Sequence, residues 1–198
     1  MLFCPLFPDY ANNFIFVSSE GASGISSFLK SPVVRKFHGN GIFGLWDHDR
    51  AGHDEFKKFK SNNNSRVNDF KVVSTNHQIY CGQYILPEEY IELKNEQNSL
   101  AVPIEFMFPP NVIERAVNEG SLILEDRVGS VSDYEYNMKV NLTNQFAENF
   151  PDEYRYLFQK INPDCKNDFA EWTNNLNNAD YTYYTNTLNG IIQLFNNH

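Results

Sequence analysis

Gly41-Ile42-Phe43-Gly44-Leu45-Trp46-Asp47-His48-Asp49-Arg50-Ala51-Gly52 is the stretch on which the rest of the chain turns. Its first half is a continuous apolar run, the pattern of a strand buried on both faces. The run stops at Asp47, and Ala51 to Lys60 reads as a helix. A strand that delivers acids at its carboxyl end and passes directly into a helix is a unit of an α/β fold. Side chains two apart on a strand face the same side, so Asp47 and Asp49 can converge on one divalent cation while His48 points the other way. The competing use of the pair is a solvated turn whose acids cap the following helix.

Upstream, Phe14-Ile15-Phe16-Val17 is a second run of β-formers, closed by Ser18-Ser19-Glu20-Gly21. Ile25, Phe28, Leu29, Val33 and Val34 recur at helical spacing between Gly24 and Phe37, until Pro32 ends or kinks the segment. Pro5 and Pro8 make residues Met1 to Asn13 an extended arm. Downstream, the polar loop Ser61 to Ser65 precedes strand-like runs at Phe70 to Ser74 and Gln78 to Ile85. Repeated β-α-β units predict a mainly parallel central sheet with helices on both faces. Ligands then sit at the carboxyl ends of the strands, where Glu20, Asp47 and Asp49 fall.

Beyond Pro103 the pattern predicts a helix over Ile104 to Phe108, a break at Pro109-Pro110, a helix from Asn111 to Asn118 and a strand at Leu122 to Val128. Phe146, Phe150, Tyr154, Leu157, Phe158 and Ile161 keep a helical period across Pro151. Leu188, Ile191, Ile192 and Phe195 form another such stripe. The expected organisation is an arm over 1–13, an α/β domain over 14–130 and a helical C-terminal extension over 131–198 packed on it.

Bulk properties bound the function. The chain has 198 residues, 41% hydrophobic and 15% aromatic, enough for one domain with a sizeable core. A net charge of -9 excludes coating of polyanions by a broad basic face. It leaves room for carboxylates that bring divalent cations to a phosphate. Cys4, Cys81 and Cys165 are too widely spaced for a CxxC zinc site and suit a reducing cytoplasm. No apolar run reaches the roughly 18 residues of a membrane span.

Two motifs resemble the TOPRIM domain of topoisomerases, primases and OLD-type nucleases, in its OLD-like form. One is a strand ending in Glu-Gly, Phe14 to Gly21; the other is a strand ending in Asp-x-Asp-x-Ala-Gly, Leu45 to Gly52. The resemblance covers about residues 14 to 160 and is most specific in its first third. It implies a TOPRIM/Rossmann-like fold and metal-dependent cleavage of nucleic acid, DNA in the first place. Glu20, Asp47 and Asp49 would be catalytic and hold Mg²⁺ or Mn²⁺. Tyr84-Ile85-Leu86-Pro87 and Ile104-Glu105-Phe106-Met107-Phe108 look like later elements of the family, which makes Glu105 a further metal ligand. Lys139 is similar in placement to the basic residue that some OLD-like nucleases use near the scissile phosphate. The family also implies an ATPase partner, since no phosphate-binding glycine-lysine loop occurs here, and a homodimer. The chain departs from the pattern at Gly24, where OLD-like members carry an acid. That leaves open a one-metal enzyme or a catalytically degenerate module that works as an interaction or regulatory subunit.

Other candidates are weaker. His38, His48 and His53 could offer nitrogen to a transition metal, against ordinary surface positions. Lys57, Lys58, Lys60 and Arg66 form the one local basic cluster, either a phosphate contact or a solvated helix face. Tyr181, Tyr183 and Tyr184 at this spacing suit packing more than base stacking. Cys81 would need a histidine such as His77 beside it to act as a nucleophile. Glu88 and Glu89 suit a helix N-terminus.

Overall fold

The computed structural model describes residues 17, 21–36, 41–60, 66–67, 70–74, 76, 78–97, 102–125 and 151–196. The expected arm over 1–13, the strand positions Phe14 to Phe16, the site candidates Glu20 and Lys139, and His38, His77, Phe146 and Phe150 lie outside them.

The first helix, α1, runs over Gly21–Lys30, and Pro32 follows its end as proline chemistry requires. Strand β1, Ile42–Trp46, is the apolar run ahead of the acids, and helix α2, Arg50–Lys57, follows them. Strands β2 (Arg66–Val67), β3 (Phe70–Ser74) and β4 (Ile79–Gln83) complete a four-stranded sheet in the order β1-β4-β3-β2. β1 pairs with β4 in parallel, with Gly44 beside Cys81 and Trp46 beside Gln83. β3 pairs antiparallel with both β4 and β2.

Among the described residues the sheet is therefore mixed, where the sequence predicted a mainly parallel one. The physical reason is the connection between β3 and β4. Only residues 75–78 separate Ser74 from Ile79, and a parallel crossover needs a dozen or more. The chain instead makes a hairpin, with Gln78 at φ 48°, a left-handed conformation usual in tight turns, and an irregularity in register at Val72/Ser74.

Helices lie on both faces of this sheet. Leu29 and Val34, from α1 and the turn behind it, pack with Trp46, Phe59, Ile79 and Cys81 on one face. On the other, Phe70, Val72 and Tyr80 meet Ile191 and Leu194 of α6, Thr182–Asn196. A side chain at Gly44 would come within 2.5 Å of Leu29, so glycine there lets α1 lie close on β1.

The largest apolar cluster lies beyond the ends of β1 and β4. It gathers Tyr84, Leu86 and Tyr90, the last from helix α3 (Glu88–Gln97), with Phe106, Met107 and Phe108. Helix α4, Pro110–Asn118, adds Val112, Ile113 and Ala116, and helix α5, Lys166–Thr173, adds Phe169. Ile104–Phe106 is one 3₁₀ turn, because Pro109 and Pro110 stop the predicted Ile104 to Phe108 helix and open α4. The helix predicted across Pro151 is also absent from the described part of that segment. Residues Asp152–Phe158 are 3₁₀, and Lys160–Ile161 form a strand, β6, paired with Leu124–Glu125, β5. Apolar spacing of three and four serves both helix types, and the demand of β5 for a partner is non-local.

Candidate acidic site

The Asp47 to Asp49 segment leaves β1 and immediately acquires a second partner. His48 exchanges backbone hydrogen bonds with Val102, donating at 3.1 Å and accepting at 3.0 Å, as one antiparallel bridge. That bridge aligns the following turn with the acids. The Ile104 N–H donates to Asp47 Oδ2 at 3.3 Å across 57 positions of sequence, which sets Glu105 beside Asp47. The turn is held from behind by the Tyr184 hydroxyl of α6, which donates to the Ile104 carbonyl at 2.6 Å.

The two aspartates have different duties. Asp49 is the N-cap of α2, with extended backbone and Oδ1 accepting from the Gly52 N–H at 2.6 Å. The capping alternative therefore holds for Asp49, whose second oxygen makes no part of the cap. Asp47 caps nothing. Its carboxyl is pushed up to about 6, first by burial and then by the charges of Asp49 and Glu105, against the Ile104 N–H and Lys166. Gly52 is needed where the strand folds back into α2: a Cβ there would lie 2.4 Å from the Asp47 carbonyl oxygen. Gln83 on β4 donates to that same carbonyl at 2.7 Å, so the backbone of Asp47 is fixed from both sides.

Glu105 is the third acid, its side chain 12% exposed. Oε1 forms an ion pair with Lys166 Nζ at 2.6 Å, while Oε2 is buried and has no hydrogen-bond partner. A buried carboxylate oxygen left unpaired is costly, so it has capacity for a further donor, a water or a cation. The walls include Tyr84 and Tyr184, whose rings meet edge to face at 5.7 Å. Both phenols are held far above their usual range by burial first, and Asp47 and Glu105 add to the effect.

Sequence reasoning did not single out Lys166. It opens α5 directly behind the 3₁₀ turn Pro163–Cys165, which Asn162 caps through the Asp164 N–H at 2.8 Å. A lysine so close to the start of a helical segment runs against the helix dipole, and that mismatch was the available signal.

The remaining candidates fall into structural places. His48 Nε2 donates to the Tyr84 carbonyl at 2.5 Å, so this ring braces the loop after β4. His53 lies on α2, its backbone N–H bound to the Asp49 carbonyl at 3.0 Å. Lys58 pairs with Glu55 at 2.5 Å; Lys57 and Lys60 are exposed, and the side chain of Arg66 lies outside the described residues. Tyr181, Tyr183 and Tyr184 are core residues, and Tyr183 donates to Glu89 at 2.9 Å. Glu88 and Glu89 occupy the first turn of α3. Cys81 is fully buried in β4 and its thiol is pushed up to about 12 by burial, which removes nucleophile chemistry.

Among the described residues no group of three histidine, cysteine or acidic side chains is arranged to hold a metal ion. No helix among them is long and apolar enough to cross a membrane. Asp47, Asp49 and Glu105 nevertheless offer hard oxygen donors in one neighbourhood, the donor type that Mg²⁺ and Mn²⁺ take. Comparisons with protein-family models, with curated proteins and with solved structures found no match for this chain.

Proposed function

We propose that this chain is a Mg²⁺- or Mn²⁺-dependent phosphodiester-cleaving domain of the TOPRIM type, acting on nucleic acid in the cytoplasm. DNA is the first substrate to test and an ATPase the first partner. The observation that carries the proposal is the buried, unpartnered Glu105 Oε2 beside an Asp47 whose ionisation is already unfavourable. Two crowded carboxylates gain most from a shared cation, and a bound divalent ion would supply Lewis-acid stabilisation of charge on a phosphate.

In this proposal Asp47 and Glu105 are the principal ligands, and Asp49 contributes through the oxygen not used in its cap. Glu20, which lies outside the described residues, is the further candidate in this proposal, as ligand or proton acceptor. Lys139 remains the candidate for steadying the phosphate. The Ile104 N–H and the Gln83 amide orient Asp47, so its position is set before any ligand arrives.

A second role, as a catalytically degenerate interaction or regulatory subunit, is favoured by two observations. Gly24 lies in α1 where OLD-like members carry an acid, and Asp49 Oδ1 is engaged by the Gly52 N–H. Calorimetric titration of Mg²⁺ and Mn²⁺, beside plasmid nicking, separates the two roles. The nuclease proposal expects metal binding and metal-dependent nicking, both lost in Asp47→Ala/Asp49→Ala. A wild-type chain that binds neither ion and nicks nothing would remove it and leave the subunit role.

A further inference from the structure

We propose that Lys166 is a tethered counter-cation of the acidic site, holding Glu105 in the metal-free chain and yielding its place when a divalent cation binds. The proposal rests on the metal-site proposal above and adds to it a residue that sets metal affinity.

The ion pair is lopsided in a way that suits exchange. Nζ lies 2.6 Å from Oε1, yet the lysine side chain is 50% exposed and the glutamate only 12%. Released, the ammonium can return to water at small cost, because its surroundings are half solvent already. Glu105 has no such exit, and an acid left buried without a cation is strongly unfavourable. The pairing is also incomplete: one ammonium satisfies Oε1 and leaves Oε2 without a partner. An ion that takes several oxygen ligands can use both the unpaired oxygen and the neighbouring Asp47.

The helix dipole does not favour a cation at position 166. The helical segment begins at Pro163, so Lys166 stands near the positive end of its dipole. Phe169 of the same helix packs against Phe108 with ring centroids 5.6 Å apart, which anchors the backbone of α5, while the lysine side chain is half exposed. The exchange therefore needs one side chain to move, and no helix.

The test is Mn²⁺ titration of the full chain by calorimetry for wild type, Lys166→Gln, Lys166→Arg, Glu105→Gln and the Lys166→Gln/Glu105→Gln pair. Lys166→Gln should bind Mn²⁺ about tenfold more tightly, the scale of one unit charge a few ångströms from a divalent ion in a water-screened site. Lys166→Arg should keep the wild-type affinity, and the gain from Lys166→Gln should vanish when Glu105 is also changed. Unchanged or weaker binding by Lys166→Gln, with wild-type binding intact and lost in Asp47→Asn, overturns the counter-cation while the metal site stands. Absence of Mn²⁺ binding by wild type at millimolar concentration overturns both. Should Lys166→Gln fail to fold, lysine side-chain NMR on the wild-type chain decides. Saturating Mg²⁺ should shift the Lys166 resonances towards those of a solvated lysine, and resonances that do not move overturn the proposal.

Discussion

Replacing Asp47 by asparagine should stabilise the metal-free protein at alkaline pH and leave it unchanged in acid. Burial, Asp49 and Glu105 together raise the Asp47 carboxyl from 3.8 to about 6. A gap of that size corresponds to about 3 kcal/mol at 1.36 kcal/mol per unit. Partial exposure to solvent reduces it to on the order of 2 kcal/mol. A carboxyl raised in the folded state favours folding while protonated, so its contribution is complete below about pH 4 and is lost as the pH rises through about 6. At pH 8 the wild-type chain must hold an ionised, crowded acid, and Asp47→Asn need not. Asparagine still presents an oxygen to the Ile104 N–H, so the hydrogen bond at 3.3 Å survives the change.

Urea denaturation in the presence of chelator, for both proteins from pH 4.5 to 8, measures the difference and cancels the other carboxylates. The expected gap is about 2 kcal/mol in favour of Asp47→Asn at pH 8, or a rise in Tm of about 4–8 °C. It should shrink to about a third of that by pH 4.5, on its way to closing below about pH 4. Adding Mg²⁺ at pH 8 should narrow it from the other side, by stabilising wild type alone. A variant less stable than wild type by the same amount at every pH would refute the reasoning. The hydrogen-bonding geometry of Asp47 would then outweigh its charge.

Asp49 can be dissected into cap and charge: Asp49→Asn should keep its stability within a few tenths of a kcal/mol, because asparagine caps as well as aspartate, while Asp49→Ala loses about 1 kcal/mol by thermal melting. If Asp49 also holds metal, both variants bind Mn²⁺ more weakly in calorimetry. Gly52→Ala should destabilise by about 1–3 kcal/mol despite the helical preference for alanine, since its Cβ would press on the Asp47 carbonyl at 2.4 Å; a more stable variant in urea would mean that α2 shifts freely. Tyr184→Phe strands the Ile104 carbonyl and should cost about 1–2 kcal/mol in the same assay, with weaker metal binding as the Glu105 turn loosens.

What could be seen in the sequence was what neighbouring residues decide. The apolar run Ile42 to Trp46 and its abrupt end at Asp47 mark β1, the turn and α2 because burial and capping act over a few residues. The stripe through Leu188, Ile191 and Phe195 falls on α6 for the same reason. The antiparallel pairing of β3 with β4 follows from length alone, since Ser74 and Ile79 are too close for a crossover. The strand at Lys160–Ile161 was not accessible in that way. Tyr154, Leu157, Phe158 and Ile161 carry a spacing that a helix also satisfies, and only the distant Leu124–Glu125 draws the chain into extension.

The acidic site divides along the same line. Asp47 and Asp49 are brought together by one turn of chain, whereas Glu105 reaches them through the His48–Val102 bridge, a contact between segments that no local pattern announces. The motif resemblance that named Glu105 carried no information about Lys166 or about what holds the turn. Those depend on Tyr184 and on the helix that starts at Lys166, both from the far end of the chain. The charge balance of the site is consequently a property of the folded chain as a whole. Asp47 and Asp49 leave β1, Glu105 comes from the turn behind Pro103, and the segment after Pro163 supplies the lysine that pairs with Glu105. A chain ending before α5 would retain the Asp-x-Asp motif and lose Lys166, the ion-pair partner of Glu105.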